Sequence, residues 1–329
     1  MKTESQLAQS ILSTESYDLF GTARLSRPIS FDIYSTWLSD GQHGDMTYLF
    51  KHRDVKEYPQ SRYDFAKSAI VVGILYDRQP SEMKRASLPL KHLKIARYAR
   101  GNDYHDWLLN KLKGTTQKLL NEFPRHTFSC HTDSSPILER DLAYRAGLGW
   151  FGKNSMLISQ KKGSFFLIGE ILTSLELEEP AIKHPDRCGT CSRCIEACPT
   201  HAINNNRTVD SRKCISYHTI ESKADMPGEL ASAVSDWFFG CDICQEVCPW
   251  NKESLFSSNA LSNEQVTSNE SLSGIHSELK WLLAATDKEL RSAFQGTPLS
   301  RAKPFGLRRN ARNVARNLGF SDLLKDENS

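Results

Sequence analysis

Eight of the nine cysteines in this chain stand between positions 188 and 248. They read Cys188-x-x-Cys191-x-x-Cys194-x-x-x-Cys198-Pro199, then Cys214, then Cys241-x-x-Cys244-x-x-x-Cys248-Pro249. Thiolates at this pitch, closed twice by Cys-Pro, are the ligand pattern of paired 4Fe-4S clusters. Three closely spaced cysteines hold one cluster and the fourth, before proline, reaches across to the other. That crossing rule assigns Cys188, Cys191, Cys194 and Cys248 to a first cluster. The second run lacks a leading cysteine, since Phe238 holds its position. Cys241, Cys244 and Cys198 therefore take Cys214 as their fourth ligand. Zinc is the weaker reading, because four-thiolate zinc sites seldom use a three-cysteine ladder ending in Cys-Pro.

A disulfide framework is disfavoured as well. The first 16 residues are polar and carry no apolar signal core, so the chain is expected in the cytoplasm, where thiols stay reduced. The longest apolar stretches, 68–76 and 164–172, are strand length, far below the ~20 residues of a spanning helix. No membrane partner is expected. A formal net charge of +3 over 329 residues says little about partners, but its distribution says more. Between Pro298 and Gly319 stand Arg301, Lys303, Arg308, Arg309, Arg312 and Arg316, with no acidic residue among them. Arg308, Arg312 and Arg316 recur at i, i+4 and i+8, on one face of a helix beside an apolar face of Leu307, Ala311, Val314, Ala315 and Leu318. Such a stripe is either a solvated face or a contact for a polyphosphate backbone.

The elements that must position these groups fall into three parts. Residues 1–178 mix helices (near 4–13, 29–38, 103–122 and 136–146) with strands (19–24, 69–76, 126–131 and 165–172), an α+β domain with its own core. Residues 179–252 are short turns around cysteines, a bacterial ferredoxin-like two-cluster domain. Residues 253–329 begin with a Ser/Asn-rich linker at 254–270 and continue as short helices at 278–283, 287–294 and 307–318, a small α-helical appendage.

A two-cluster module attached to a larger domain implies a site where the electrons are used. No G-x-G-x-x-G opens a helix after a strand and no G-x-x-x-x-G-K-[ST] occurs, which argues against a Rossmann nicotinamide or flavin site and against nucleotide hydrolysis. The densest chemistry is the run from His131 to Arg140, then Arg145 to Asn154. Asp133, at a strand end, is a helix cap or a proton donor. Gly147, Gly149 and Gly152 allow close approach of a bulky flat ligand or another chain. Cys130, the ninth cysteine, reads as a buried apolar residue.

Over nearly its whole length the chain resembles the epoxyqueuosine reductases, cobalamin-dependent iron–sulfur enzymes of tRNA modification. The resemblance is carried by Asp133-x-x-Pro136-x-x-Glu139-Arg140, Ala146-Gly147-Leu148-Gly149-Trp150-x-Gly152-Lys153-Asn154 and Gly169-Glu170-Ile171-Leu172-Thr173. It is carried too by the cysteine series with Cys214-Ile215-Ser216-Tyr217, by Thr297-Pro298-Leu299-x-Arg301, and by Met46-x-Tyr48-Leu49-x-x-His52 and Tyr98-Ala99-x-Gly101-x-Asp103-Tyr104-His105. It implies a cobalamin-binding α/β sandwich in the first domain, two 4Fe-4S clusters feeding it electrons, and a HEAT-like character for the C-terminal helices.

The implied reaction reduces the epoxide of epoxyqueuosine at the tRNA wobble position to queuosine, the last step of queuosine biosynthesis. Cobalamin as Co(I) would serve as the reductant and Asp133 as the proton donor, its protonated form favoured by burial beside the corrin. Lys56, Asp133, Ser155, Ile158, Ser216, Cys241 and Asp242 would contact the cofactor, with lysine at 56 where the family often has arginine. Asp103-Tyr104-His105 begins a D-x-H-x-x-G cobalt-ligating signature, but Leu108 occupies the glycine position, so cobalamin is expected base-off without a histidine ligand. His105 is then a polar group at the site's rim or a helix-surface residue. Arg301, Arg308, Arg309, Arg312 and Arg316 would contact tRNA, and an external one-electron donor such as a flavodoxin or ferredoxin system would supply the clusters. The protein would act as a monomer. The rival readings are a dehalogenase-like enzyme on a small molecule and an electron-transfer subunit without catalysis of its own.

Overall fold

In the computed structural model, residues 3–76, 89–181, 184–252 and 269–328 are described; the linker expected at 254–270 lies, up to position 268, outside them. Four strands pair into one sheet: β1 (Leu19–Arg24), β2 (Ser68–Leu75), β3 (Phe128–His131) and β4 (Phe166–Thr173), in the order β1-β2-β4-β3 with every neighbour antiparallel. The central strands β2 and β4 are buried along nearly their whole length, because side chains alternate between two covered faces.

On one face Val71, Ile168 and Leu172 meet Leu142, Ala143 and Ala146. On the other, Ile70, Val72 and Ile171 meet Ala8 and Leu12 of α1 (Glu4–Thr14) and Trp107, Leu108, Leu112 and Leu119 of α2 (Tyr104–Glu122). Helix α1 starts at Thr3 through a capping box with Gln6, satisfying two backbone N–H groups reciprocally (3.0 and 3.2 Å). Helix α2 lies close on the sheet because residue 169 is glycine: a Cβ there would stand 3.0 Å from Leu112 Cδ1. Truncating Leu112, buried in that contact, to Ala would cost about 2–5 kcal/mol.

Helix α3 (Glu139–Arg145) starts later than the expected 136. Residues 132–138 instead form turns, Ser135 N–H donating to Thr132 O (3.0 Å) and Ile137 N–H to Ser135 O (2.8 Å). This loop hangs Asp133 beyond the end of β3.

At the C-terminus α4 (Asn269–Ala284), α5 (Asp287–Ala293) and α6 (Lys303–Asn317) share one core with Leu93, Ile95, Phe238 and Phe239. The Trp237–Phe239 strand also pairs in parallel with Lys94–Ile95. The helices are thus no detached appendage, since this core draws on all three parts of the sequence-based division.

Helix α6 corrects the arginine reading. Arg309 is only 6% exposed, and its guanidinium donates to the carbonyls of Ser222 (2.7 Å), Ala224 (2.8 Å) and His218. It is turned away from solvent and cannot reach a phosphate. Asn310 donates to Thr219 O (2.7 Å) and Asn317 to Ala231 O (2.8 Å), so this face of α6 fastens the 218–235 segment. The neighbouring face differs: Arg308 is half-buried and pairs with Asp287 (2.6 Å), while Arg312 is half-buried and Arg316 exposed. Arg301 pairs with Glu221 (2.9 Å).

Candidate active site

A cleft of about 790 Å³ joins the sheet domain to the cysteine segment. Lys56, Asp133, Ser155, Ser216, Cys241 and Asp242 all line it. Ile158 does not: it pairs with Trp150 in a short hairpin (Trp150–Phe151 with Leu157–Ile158), is 1% exposed and packs on Trp150. Its neighbour Leu157 faces the cleft instead, because adjacent residues of a strand point to opposite sides. The five arginines lie outside the cleft lining.

Asp133 is presented by the β3 loop to the first turn of α2. Tyr104 Oη donates to Asp133 Oδ2, and His105 Nε2 lies 2.5 Å from Asp133 Oδ1. Asp103 fixes this arrangement. Its Oδ1 accepts the His105 backbone N–H (3.1 Å), which caps α2, and sits 2.6 Å from His105 Nδ1, which sets the ring. Burial alone would lower the imidazole's pKa, but the hydrogen bonds to Asp103 and Asp133 outweigh it and lift His105 to about 10. His105 is thus held between the side chains of Asp103 and Asp133, at the rim of the site, with both ring nitrogens occupied. Helix α3 takes Leu138, not Asp133, as its N-cap residue. The Asp133 side chain is 41% exposed, so the protein alone does not supply the burial expected for it.

Cys198, Cys214, Cys241 and Cys244 also line the cleft. Burial pushes the Cys241 thiol up, and Cys214 and Cys198 are among the neighbours that push it further. Burial likewise raises Cys248, whose thiol neighbours are Cys188, Cys194 and Cys191. Such thiols ionise only when a bound cation offsets the loss of solvation. Cys130 stands apart, half-buried at α2 with its Sγ 3.0 Å from Thr116 Oγ1.

The Gly152-Lys153-Asn154 segment ties the sheet domain to both cysteine runs. Lys153 Nζ donates to Gly189 O (2.8 Å) and Cys191 O (2.9 Å), and Asn154 Nδ2 to Cys244 O (3.2 Å). Ser155 follows in the left-handed region (φ 64°), a strained setting for a non-glycine residue; the Arg140 guanidinium holds it through the Ser155 carbonyl and Oγ (3.2 Å). The glycine reading needs correction here: a Cβ at Gly149 would strike Ile158 O, and one at Gly152 would stand 2.6 Å from Ile158 Cδ1. These two glycines serve the chain's own hairpin.

Lys56 is buried and spends a hydrogen bond on Ile137 O (3.1 Å); burial lowers its pKa, which Glu139 and Glu170 partly restore. Glu139 is half-buried on the cleft wall and raised to about 7, by burial first and then by Asp133. Glu170, 1% exposed, is also raised, by burial first and then by Glu139. The sequence reading quoted both glutamates as motif residues without giving them chemistry. A carboxylate inside the apolar run of β4 was the available signal.

Two family models match: "Epoxyqueuosine reductase QueG, DUF1730" over residues 57–134 and "4Fe-4S double cluster binding domain" over residues 187–251. An epoxyqueuosine reductase of Synechocystis sp. is 39% identical over 279 residues, 84% of this chain and 92% of that protein. One of Cellulophaga algicola is 39% identical over 281 residues, 83% of this chain and 85% of that protein. Among solved structures, a selenomethionine-labelled epoxyqueuosine reductase matches at TM-score 0.80 and 25% identity, over 98% of this chain and 85% of that one. An epoxyqueuosine reductase with an epoxyqueuosine-modified tRNA-Tyr stem loop shares the fold at TM-score 0.78 and 24% identity, over 98% of this chain and 84% of that one. The chain therefore belongs to the epoxyqueuosine reductase family of oxidoreductases.

Proposed function

We propose that this protein reduces the epoxide of epoxyqueuosine at the tRNA wobble position to queuosine, with cobalamin and two 4Fe-4S clusters as cofactors and Asp133 as proton donor. The observation that carries the reading is that Asp133, held by Tyr104 and His105, faces the same cleft as Cys198, Cys214, Cys241 and Cys244. Removing an epoxide oxygen as water and leaving a carbon–carbon double bond takes two electrons and two protons. Thiolate-bound clusters bring electrons one at a time, and the Asp133 wall brings a proton.

The residues fit a corrin. The cleft's volume lies within the ~300–1,000 Å³ of cofactor sites, its walls include Tyr98, Met156 and Phe166, and among the described residues none lining it is a histidine. Lys56, Ser155, Ser216 and the Cys241–Asp242 turn would hold the group, with Leu157 in place of Ile158. Cobalamin bound there supplies, as Co(I), the low-potential reductant. Tyr104 and His105 orient the Asp133 carboxyl, and the nucleoside seated over the cleft shuts out the water that now reaches it.

Cys188, Cys191, Cys194 and Cys248 would hold one cluster and Cys198, Cys214, Cys241 and Cys244 the other, a grouping favoured by which thiols neighbour one another. The second set lines the cleft and would pass electrons to the cofactor; the first would accept them from an external one-electron donor of the flavodoxin or ferredoxin kind. Residues 1–178, 179–252 and 253–329 would serve as cobalamin, cluster and tRNA-binding parts of a cytoplasmic monomer. Arg301, Arg308, Arg312 and Arg316 would meet tRNA phosphates. The ion pairs now made by Arg301 and Arg308 are surface pairs worth about 0–1 kcal/mol, so a phosphate displaces them at little cost.

Anaerobic incubation with cobalamin, a strong reductant and tRNA carrying epoxyqueuosine, followed by nucleoside mass spectrometry, tests the reading. Cobalamin-dependent loss of one oxygen is expected. No mass change despite intact clusters and bound corrin would overturn it and revive the dehalogenase-like alternative.

A further inference from the structure

The reaction proposed above consumes two protons per turnover, and a single carboxyl provides one. Water cannot readily supply the other once substrate covers the cleft. Behind Asp133 the structure holds two more carboxyl groups in order of increasing depth. Glu139 is half-buried on the cleft wall, and its Oε2 is closed off from solvent with no hydrogen-bond partner. Glu170 is 1% exposed, and its Oε1 likewise has no partner. On β4 Glu170 stands two residues from both Ile168 and Leu172 and so shares their face of the sheet, the one covered by α3, the helix that Glu139 begins. Its cross-strand neighbour His131 is held by Ser129 Oγ (2.9 Å) and Ser135 Oγ (2.7 Å) and offers Glu170 no hydrogen bond.

A buried carboxylate left unpaired is costly, and two that share one low-dielectric space cannot both ionise cheaply. Lys56 is a buried cation close by, and its Nζ hydrogen bond goes to Ile137 O (3.1 Å). Asp133, Arg140, Lys56 and His105 act on Glu139; Glu139, Asp133 and Lys56 act on Glu170. Glu170, the deeper group, is held toward its protonated form, which lightens the repulsion on Glu139, and the proton of Glu139 stands on the cleft wall, where it can be handed outward.

We propose that Glu139 and Glu170 form an internal proton store that reprotonates Asp133 from behind during turnover, supplying the second proton of the reaction. Asp133 gives its proton to the epoxide oxygen as the first carbon–oxygen bond breaks. The Glu139–Glu170 pair restores it, and the restored proton completes water when the second carbon–oxygen bond breaks and the alkene forms. The clusters, when bound, would supply the two electrons, and Glu139 regains its proton from solvent when the product leaves. Burial raises Glu139 to about 7 and moves Glu170 in the same direction, so both groups can hold a proton when Asp133 needs one.

The proposal rests on the function assigned to Asp133, and its test separates the two. In cluster-loaded protein without cobalamin, infrared difference spectra across a pH titration should show a carboxylic acid C=O band that titrates near neutral pH. The band should persist in Asp133→Asn and vanish or shift in Glu139→Gln and Glu170→Gln. With cobalamin and substrate, both glutamine variants should lose roughly a hundredfold in kcat, the lower range for a positioned proton donor, with KM for tRNA and iron content unchanged and the alkaline limb of the pH profile moved. A wild-type spectrum without such a band, or glutamine variants that keep both band and pH profile, would overturn the store. The wild-type spectrum decides even if a variant fails to fold. Full turnover by Asp133→Asn would instead sink the role of Asp133 and leave the infrared result standing.

Discussion

Replacing Arg309 by Met separates a structural arginine from an RNA contact. Its buried guanidinium donates to the carbonyls of Ser222 and Ala224 (2.7 and 2.8 Å) and to that of His218. A hydrogen bond to a charged partner contributes about 1.5–3 kcal/mol, so three would sum to well over 4 kcal/mol. Removing the buried cation recovers part of its own desolvation cost, and the net loss should be about 3–5 kcal/mol. That is a large share of the ~5–15 kcal/mol a domain possesses. The damage should fall on the Ile215–Ile220 helix, which His218 belongs to and which follows Cys214. A denaturant midpoint from tryptophan fluorescence, with iron content measured in parallel, should show lower stability and partial loss of the second cluster. Lysine at 309 should rescue less than half of the loss, because it lacks the planar fork. A stable, cluster-replete Arg309→Met protein whose tRNA affinity loses about one unit of salt slope would refute this and restore Arg309 as a phosphate contact.

Three further outcomes are expected. Arg308→Ala with Arg312→Ala should weaken tRNA binding and flatten its salt dependence by about one phosphate per arginine, measured by filter binding across a salt series; an unchanged slope would leave the stripe a solvated face. Lys153→Met removes the ammonium that joins Gly189 O to Cys191 O, so the first cluster should be stripped faster by a chelator, followed by loss of its visible absorbance, while the second persists. His105 is raised from 6.5 to about 10, so the stability its charged form contributes is whole below 6.5 and is lost as pH rises through about 10. The melting-temperature gap between wild type and His105→Gln should therefore be widest in mild acid and close in strong alkali; a gap that grows with pH would contradict the clamped imidazolium.

The α+β order of elements was legible because apolar alternation and helical spacing are local signals, and the strand at 19–24 is placed to the residue. The late start of α3 was not, since the turns at 132–138 go with the seating of Asp133 against Tyr104 and His105, residues distant in the chain. The cysteine run announced its chemistry by spacing alone. Arg309 misled because identical arginines two faces apart look alike in a sequence. Its fate is set by the carbonyls of a segment some 90 residues away, although Arg309, Asn313 and Asn317 at i, i+4 and i+8 hinted at a buried polar face. Glycines at 149 and 152 signalled close approach correctly but not what approaches. Tyr104 and His105 could be seen as polar residues at a helix start; only the fold brings them onto Asp133.

In the proposed reaction electrons and protons reach one substrate from two sides of the cleft, with Asp133 as the final donor. The most direct measurement is a single turnover of cobalamin-loaded, prereduced Asp133→Asn protein on tRNA carrying epoxyqueuosine, read by nucleoside mass spectrometry beside the wild type. The account predicts normal cluster and cobalt reduction with oxygen loss slowed by about a hundredfold or more. Oxygen loss at the wild-type rate in that variant would contradict it.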